Sequence, residues 1–247
     1  TADGKKVKYV HSIHELNDTT LWVSTVGEGI VKIILNKNGI TPTVKSATRI
    51  ILDGGRLASN YFFTSFQEND SILWFGNRGY GAHRLNLETG KFTPYKFDNI
   101  VNSQMTNDIF AIYKNENGYW FATSSGLLHF NQEDSQHHNK VELLSKNTAH
   151  GILEDQQNNI WISTNQGLVR FNPKTHTSQT YDRKNGLEVT EFSDGAFYKD
   201  IPTETLFFGG TNGFVAIKPN DYNMATYMPQ ISMKRLSIFG KEYNIHD

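Results

Sequence analysis

Histidines that lie next to acidic or other histidine residues are the first candidates for chemistry in this sequence. His14 precedes Glu15, an order that could serve phosphoryl acceptance on an exposed helix. The pattern around His14 is that of a β-strand, however, and predicts no phosphoacceptor there. His137 and His138 could ligate a metal, but a metal site needs three or four converging ligands, and this pair lies in a polar turn. We therefore predict a solvated loop at this pair and no metal site.

A second set of residues has the chemistry of ligand binding. Amide and guanidinium groups can hydrogen bond to sugar hydroxyls or carboxylates, and a tyrosine ring can stack on a pyranose. Ordinary loop solvation is the alternative, because loops are polar by default. The predicted ligand-binding residues are Arg56, Asn77, Arg78, Tyr80 and Gln166.

A repeated unit must position these side chains. An aromatic residue flanked by apolar residues recurs five times, at spacings of 52, 46, 41 and 46 residues, and a glycine follows it six or seven residues later. All four tryptophans of the chain occupy this position. We predict that these aromatic residues pack between neighbouring repeats. They are Trp22, Trp74, Trp120, Trp161 and Phe207.

Each repeat predicts four antiparallel strands separated by short turns, and no stretch shows helical periodicity. In the third copy, strands are predicted at 108–113, 119–123, 127–130 and near 141–144. Units of about 40–50 residues with four strands are typical of β-propeller blades. The fold class is therefore all-β, with five blades visible. In a propeller the loops between blades share a face with the turns joining second and third strands; here they are residues 56–60, 77–81, 102–107, 124–126, 145–150, 165–167 and 211–213.

Composition excludes several classes of protein. The chain has 247 residues, of which 37% are hydrophobic and 20% charged, so it is neither a disordered tail nor a membrane-spanning protein. Its net charge of −1 provides no basic field for nucleic acid. Without cysteine there is no disulfide framework and no thiolate nucleophile. No run of about 18 apolar residues occurs, so we predict no direct insertion into a membrane.

The repeat resembles that of the two-component regulator propeller family. The fourth copy, residues 160–173 with the sequence IWISTNQGLVRFNP, carries the resemblance best. Residues 186–192 and 209–214 look like the final blade of the family, and residues 228–243 like the opening of the β-sandwich domain that follows it. We accordingly divide the chain into a propeller segment, 1–220, and a segment, 221–247, that begins the sandwich or closes the sheet.

The resemblance implies the extracytoplasmic, periplasmic sensor part of a bacterial receptor whose output domain is a histidine kinase or a diguanylate cyclase. It also implies rings of seven blades, so we expect the five copies to be the C-terminal part of a larger ring. A ligand such as an oligosaccharide, self-association through blade edges and dimerisation of the full receptor are the expected partners, without nucleic acid and without a cofactor. The segment itself is expected to do no chemistry.

Two other hypotheses remain open. The first is a scaffold propeller that mediates dimerisation and has no ligand site of its own. The second is a propeller lyase: the streptogramin lyases are propellers with a metal-assisted His/Glu site, for which His150, Glu154 and Glu191 are the candidates here. Spacing alone brings no partners together around His150, so the lyase is the weaker hypothesis.

Overall fold

The computed structural model describes residues 6–37, 41–52, 59–98, 103–130, 147–189, 191–221, 236–238 and 241–243. Its strands form five successive antiparallel sheets in chain order, followed by a two-stranded ribbon. The first strands of successive sheets are neighbours, so they lie nearest a common axis. The predicted fold class, an all-β propeller of five blades, is confirmed.

The blades contain the following strands, numbered in chain order. Blade 1 has β1 (Val10–Asn17), β2 (Thr20–Thr25), β3 (Ile30–Asn36) and β4 (Thr43–Ile50); blade 2 has β5 (Phe62–Asn69), β6 (Ile72–Asn77), β7 (Ala82–Asn86) and β8 (Phe92–Tyr95). Blade 3 has β9 (Ile109–Asn115), β10 (Gly118–Thr123) and β11 (Gly126–Phe130). Blade 4 has β12 (Ala149–Glu154), β13 (Ile160–Thr164), β14 (Gly167–Asn172) and β15 (Thr177–Tyr181); blade 5 has β16 (Phe192–Asp200), β17 (Thr205–Gly210) and β18 (Gly213–Ile217).

Further elements lie outside the blades, among them two 3-10 turns, Arg183–Asn185 and Pro219–Asp221. A four-residue helix, α1 (Ser103–Thr106), precedes β9, and the final ribbon pairs β19 (Leu236–Ile238) with β20 (Lys241–Tyr243). The strand predicted near residues 141–144 lies outside the described residues. The boundary predicted at residue 220 stays a prediction.

The four tryptophans hold neighbouring blades together. The Trp22 ring lies 5.7 Å from that of Phe75 in the next blade, and the Trp74 ring lies 4.9 Å from that of Tyr119. Trp120 and Trp161 pack in the same way into the cores shared with blades 4 and 5. Each of these side chains is at most 3% exposed. Since each blade buries its second strand against the next, the blades are stable only as a stack.

The turn between the second and third strands explains the conserved spacing of threonine and glycine within the repeat. The Thr164 hydroxyl donates to the carbonyl of Gly167 at 2.9 Å, and Thr123 makes the same bond to Gly126 at 2.8 Å. Gly167 has φ +120°, and a Cβ there would lie 2.2 Å from the carbonyl oxygen of Tyr181. Only glycine fits this turn, because the outer strand approaches too closely for a side chain.

Candidate functional site

A cavity of about 550 Å³ opens where blades 2 and 3 meet, on the face formed by the inter-blade segments and the β6–β7 turn. A site at this place combines side chains from separate loops on a rigid sheet scaffold, as ligand-binding sites commonly do. Its lining residues are Ser59, Tyr61, Arg78, Gly79, Tyr80, Met105 and Asp108.

Hydrogen bonds fix the blade 2 side of this cavity. The Ser59 hydroxyl donates to the Arg78 carbonyl at 2.9 Å and also contacts the amide oxygen of Asn77 at 3.1 Å. The Arg78 backbone N–H donates to the Tyr61 carbonyl at 3.0 Å. Asn77 is fully buried, so its amide ties the β6–β7 turn to the segment before β5 and lies beneath the cavity.

Hydrogen bonds also fix the blade 3 side. The Asn107 side chain accepts from the Phe97 backbone N–H at 2.9 Å and donates to Asp98 at 2.9 Å, which anchors the end of α1. Asp108 accepts from the Ser124 hydroxyl at 3.0 Å. The carboxylate of Asp108 is thereby held at the edge of the cavity.

Two cations lie over the aromatic rings of the cavity. The Arg78 guanidinium lies 5.7 Å from the Tyr61 ring centroid, and the Lys96 ammonium lies 4.7 Å from that of Tyr80. Arg78 is exposed, and within the described part of the chain its guanidinium makes no hydrogen bond or ion pair. A stacked guanidinium with unused N–H groups can bind an incoming carboxylate or hydroxyl.

The innermost strand of every blade carries a β-bulge near its start. In β1, β5, β9 and β12 the bulge leaves one residue without a partner on the second strand; in β16 it spans residues 193–196. Bulges redirect a side chain out of the regular alternation of a strand. The redirected side chains that we call the bulge collar are His11, Phe63, Phe110, His150 and Asp194.

The members of the bulge collar touch in chain order. Ring centroids are separated by 5.2 Å between His11 and Phe63, by 5.0 Å between Phe63 and Phe110, and by 6.1 Å between Phe110 and His150. The imidazole Nδ1 of His150 lies 2.6 Å from a carboxylate oxygen of Asp194. Five blades thus meet through one continuous series of side chains near the axis.

Comparison with known proteins bears on the family resemblance and on the fold. A family model described as two component regulator propeller matches residues 143–166. The resemblance to that family is confirmed. Histidine kinase P4 of Formosa agariphila is 28% identical over 231 residues, which cover 71% of this chain and 16% of the relative. The chain therefore spans about a sixth of the length of this curated relative.

Solved structures share the propeller fold. An extracellular domain assigned to a hybrid two component system of B. thetaiotaomicron superposes with a TM-score of 0.68 at 24% identity, over 86% of this chain and 28% of that one. An extracellular domain assigned to a one component system of the same organism gives a TM-score of 0.62 at 18% identity, over 96% and 31% of the two chains. At these identities the likeness establishes the architecture.

The structure brings two of the predicted ligand-binding residues together. Arg78 and Tyr80 both line the cavity, while Asn77 lies beneath it. Gln166 is exposed on the β13–β14 turn, where its backbone N–H donates to Thr164, and it is not among the lining residues. Arg56 lies outside the described residues. A ligand role for these side chains stays a prediction.

The histidines considered above for phosphoryl acceptance and metal binding lie in different parts of the chain. His14 lies in β1, where its Nε2 is 3.1 Å from the Gln67 amide oxygen, so this histidine is on a strand and not on a helix. His137 and His138 lie outside the described residues. Across the described ranges no group of three potential metal ligands converges, and no helix is long and apolar enough to cross a membrane.

The three candidate lyase residues have different partners. Glu154 accepts from the Tyr113 hydroxyl at 2.7 Å and from the Asn115 amide at 2.6 Å, in the seam between blades 3 and 4. Glu191 accepts from the Thr211 hydroxyl at 3.3 Å, whereas His150 pairs with Asp194. Each carboxylate thus has a partner other than His150, and the geometry supports structural roles for both glutamates.

Proposed function

We propose that this chain is a non-catalytic, ligand-recognising propeller segment in the extracytoplasmic, periplasmic part of a bacterial signalling receptor. The observation that carries the proposal is the cavity in which Arg78 and Tyr80 meet Tyr61 and Asp108. The length of the curated relative, and the extracellular origin of the structural neighbours, support its placement in a larger receptor. An output kinase or cyclase would then belong to the full-length receptor.

The chemistry of the cavity favours a ligand with a flat, apolar face and polar substituents. Tyr61 and Tyr80 provide aromatic surface, while the Arg78 guanidinium provides donors suited to a carboxylate or hydroxyl. A volume of about 550 Å³ lies within the range of small-molecule sites. An oligosaccharide end, neutral or acidic, fits this description.

Calorimetric titration with neutral and uronic-acid oligosaccharides tests the proposal. We expect at least one glycan to bind, and Arg78→Gln to weaken its binding about tenfold, the loss expected for a charge-assisted hydrogen bond. Arg183→Gln is the matched control, because Arg183 is exposed on a short 3-10 turn after β15. Equal affinity in the wild type and in Arg78→Gln would place the ligand elsewhere.

The scaffold hypothesis has one observation in its favour. Tyr198 and Phe214 of blade 5 are 64% and 67% exposed, which gives this blade an apolar outer face. If no glycan binds and the chain self-associates through that face, the scaffold function is preferred over ligand recognition.

A further inference from the structure

The bulge collar has a composition that differs from ordinary blade packing. Its two phenylalanine rings, Phe63 and Phe110, lie side by side between His11 on one side and the pair of His150 and Asp194 on the other. All five positions are reached by the same device, a bulge at the start of the innermost strand. Bulges next to functional sites commonly aim side chains at a ligand.

The Asp194 carboxylate provides hydrogen-bond acceptors on the collar. An Asp194 carboxylate oxygen lies 2.6 Å from Nδ1 of His150, and because a carboxylate accepts, His150 donates its Nδ1–H to it. The second carboxylate oxygen of Asp194 has no hydrogen-bond partner within the described ranges. His11 Nδ1 is buried and also lacks a partner among the described residues.

Asp194 is the acidic member of the collar. Asp194 is 27% exposed and His150 is 17% exposed, so the pair can be reached from solvent. No lysine or arginine belongs to the collar, and aromatic faces attract cations through their negative electron density. A metal ion is disfavoured, because two phenylalanines separate His11 from His150 and no three ligating side chains converge in the described part of the chain.

We propose that the bulge collar binds an organic ammonium ion. The Asp194 carboxylate supplies the opposite charge and accepts N–H hydrogen bonds, and the Phe110 ring, whose centroid lies 6.1 Å from that of His150, provides cation–π contact. This site is separate in chemistry from the cavity of Arg78, which favours carboxylates and hydroxyls. The propeller would then have two binding sites for ligands of different chemistry.

Titration of the whole chain with n-butylammonium, tetramethylammonium and neutral 1-butanol tests this site. The NMR signals of the histidine rings report the binding. We expect both ammonium ions to shift the His150 signals in a saturable way, and 1-butanol to leave them unchanged. Tighter binding of n-butylammonium than of tetramethylammonium would show that N–H donation contributes. Absence of saturable shifts with either ion, or equal binding of 1-butanol, would overturn the proposal.

Two variants assign the binding to the collar. Asp194→Asn keeps the shape and removes the charge, and is expected to weaken ammonium binding about tenfold or more. Asp221→Asn is the matched control, because Asp221 is exposed on the 3-10 turn after β18. Phe110→Leu keeps Asp194 in place and should weaken tetramethylammonium binding if the ring takes part. Wild-type affinity in both Asp194→Asn and Phe110→Leu would refute the assignment.

Discussion

The buried indole N–H groups show how single residues set the strength of the blade interfaces. Trp74 donates to Glu68 at 2.7 Å, and Trp161 donates to Asp155 at 2.8 Å, in both cases to an acid six residues earlier. In blade 1 the residue six positions before Trp22 is Leu16, whose side chain has no acceptor. The indole N–H of Trp22 is buried without a partner among the described residues. The first interface therefore lacks a hydrogen bond that the later ones contain.

Glu68 joins blades 2 and 3 and makes stability depend on pH. Its burial opposes ionisation, but hydrogen bonds from Lys114, at 2.7 Å, and from Trp74 and Tyr119 outweigh burial and hold its pKa below the ordinary value of 4.5. The stabilisation is therefore complete above that ordinary value and is lost as the pH falls through the lower folded pKa. We expect Glu68→Gln to cost about 2 kcal/mol of unfolding free energy at pH 7, the scale of hydrogen bonds to charged groups.

Urea unfolding at a series of pH values measures this effect. The difference between wild type and Glu68→Gln should shrink as acid protonates Glu68, while exposed Glu116→Gln should change stability by less than about 0.5 kcal/mol at any pH. A difference that stays constant down to low pH would mean that the charge of Glu68 is not what stabilises the seam.

Among the elements, the turn joining the second and third strands is the most constrained part of each blade. We expect Gly167→Ala to destabilise the chain by about 3 kcal/mol, because the new Cβ would meet the Tyr181 carbonyl oxygen at 2.2 Å. Gly90→Ala is the control: it also has positive φ, +68°, but no atom lies within 4 Å of its Cβ, so about 1 kcal/mol is expected. Thermal unfolding compares them, and equal losses would show that backbone conformation alone sets the cost.

The strands, turns and bulges of the blades differ in how well the sequence predicts them. Strand 2, its glycine turn and the Trp repeat are local patterns of fixed residue type, so they predict the blades. The bulge collar is not such a pattern. His11, Phe63 and His150 each lie 11 residues before the aromatic residue of their repeat, but their side chains differ in chemistry. Asp194 lies 13 residues before Phe207. Its grouping depends on the radial arrangement of blades, which no single repeat contains. In the cavity, the proximity of Arg78 and Tyr80 is local, since both lie on one turn, whereas Asp108 comes from the next blade and no single repeat places it there.

At the scale of the whole molecule, blade 5 has an apolar face that is exposed among the described residues. Phe207 occupies the position at which the four preceding blades bury tryptophan against a neighbour. Within the described residues its ring contacts only rings of its own sheet, Tyr198 at 6.3 Å and Phe214 at 6.0 Å. An apolar sheet face of this kind favours association with another apolar surface, and the same face on a second copy of the chain is one such surface.

We therefore expect the chain to self-associate reversibly through blade 5. Phe214→Ser should raise the dissociation constant about tenfold or more, because it removes the most exposed ring of that face from a contact worth at least 1–2 kcal/mol. Ile201→Ser is the control, since Ile201 is 73% exposed but lies in the β16–β17 turn, at the end of the sheet and not on its face. Sedimentation equilibrium at several loading concentrations measures both. A monomer at all concentrations, or equal effects of the two substitutions, would contradict association through this face. Weaker association in Phe214→Ser but not in Ile201→Ser would show that the position of an apolar side chain in the blade, and not its exposure, determines the contact.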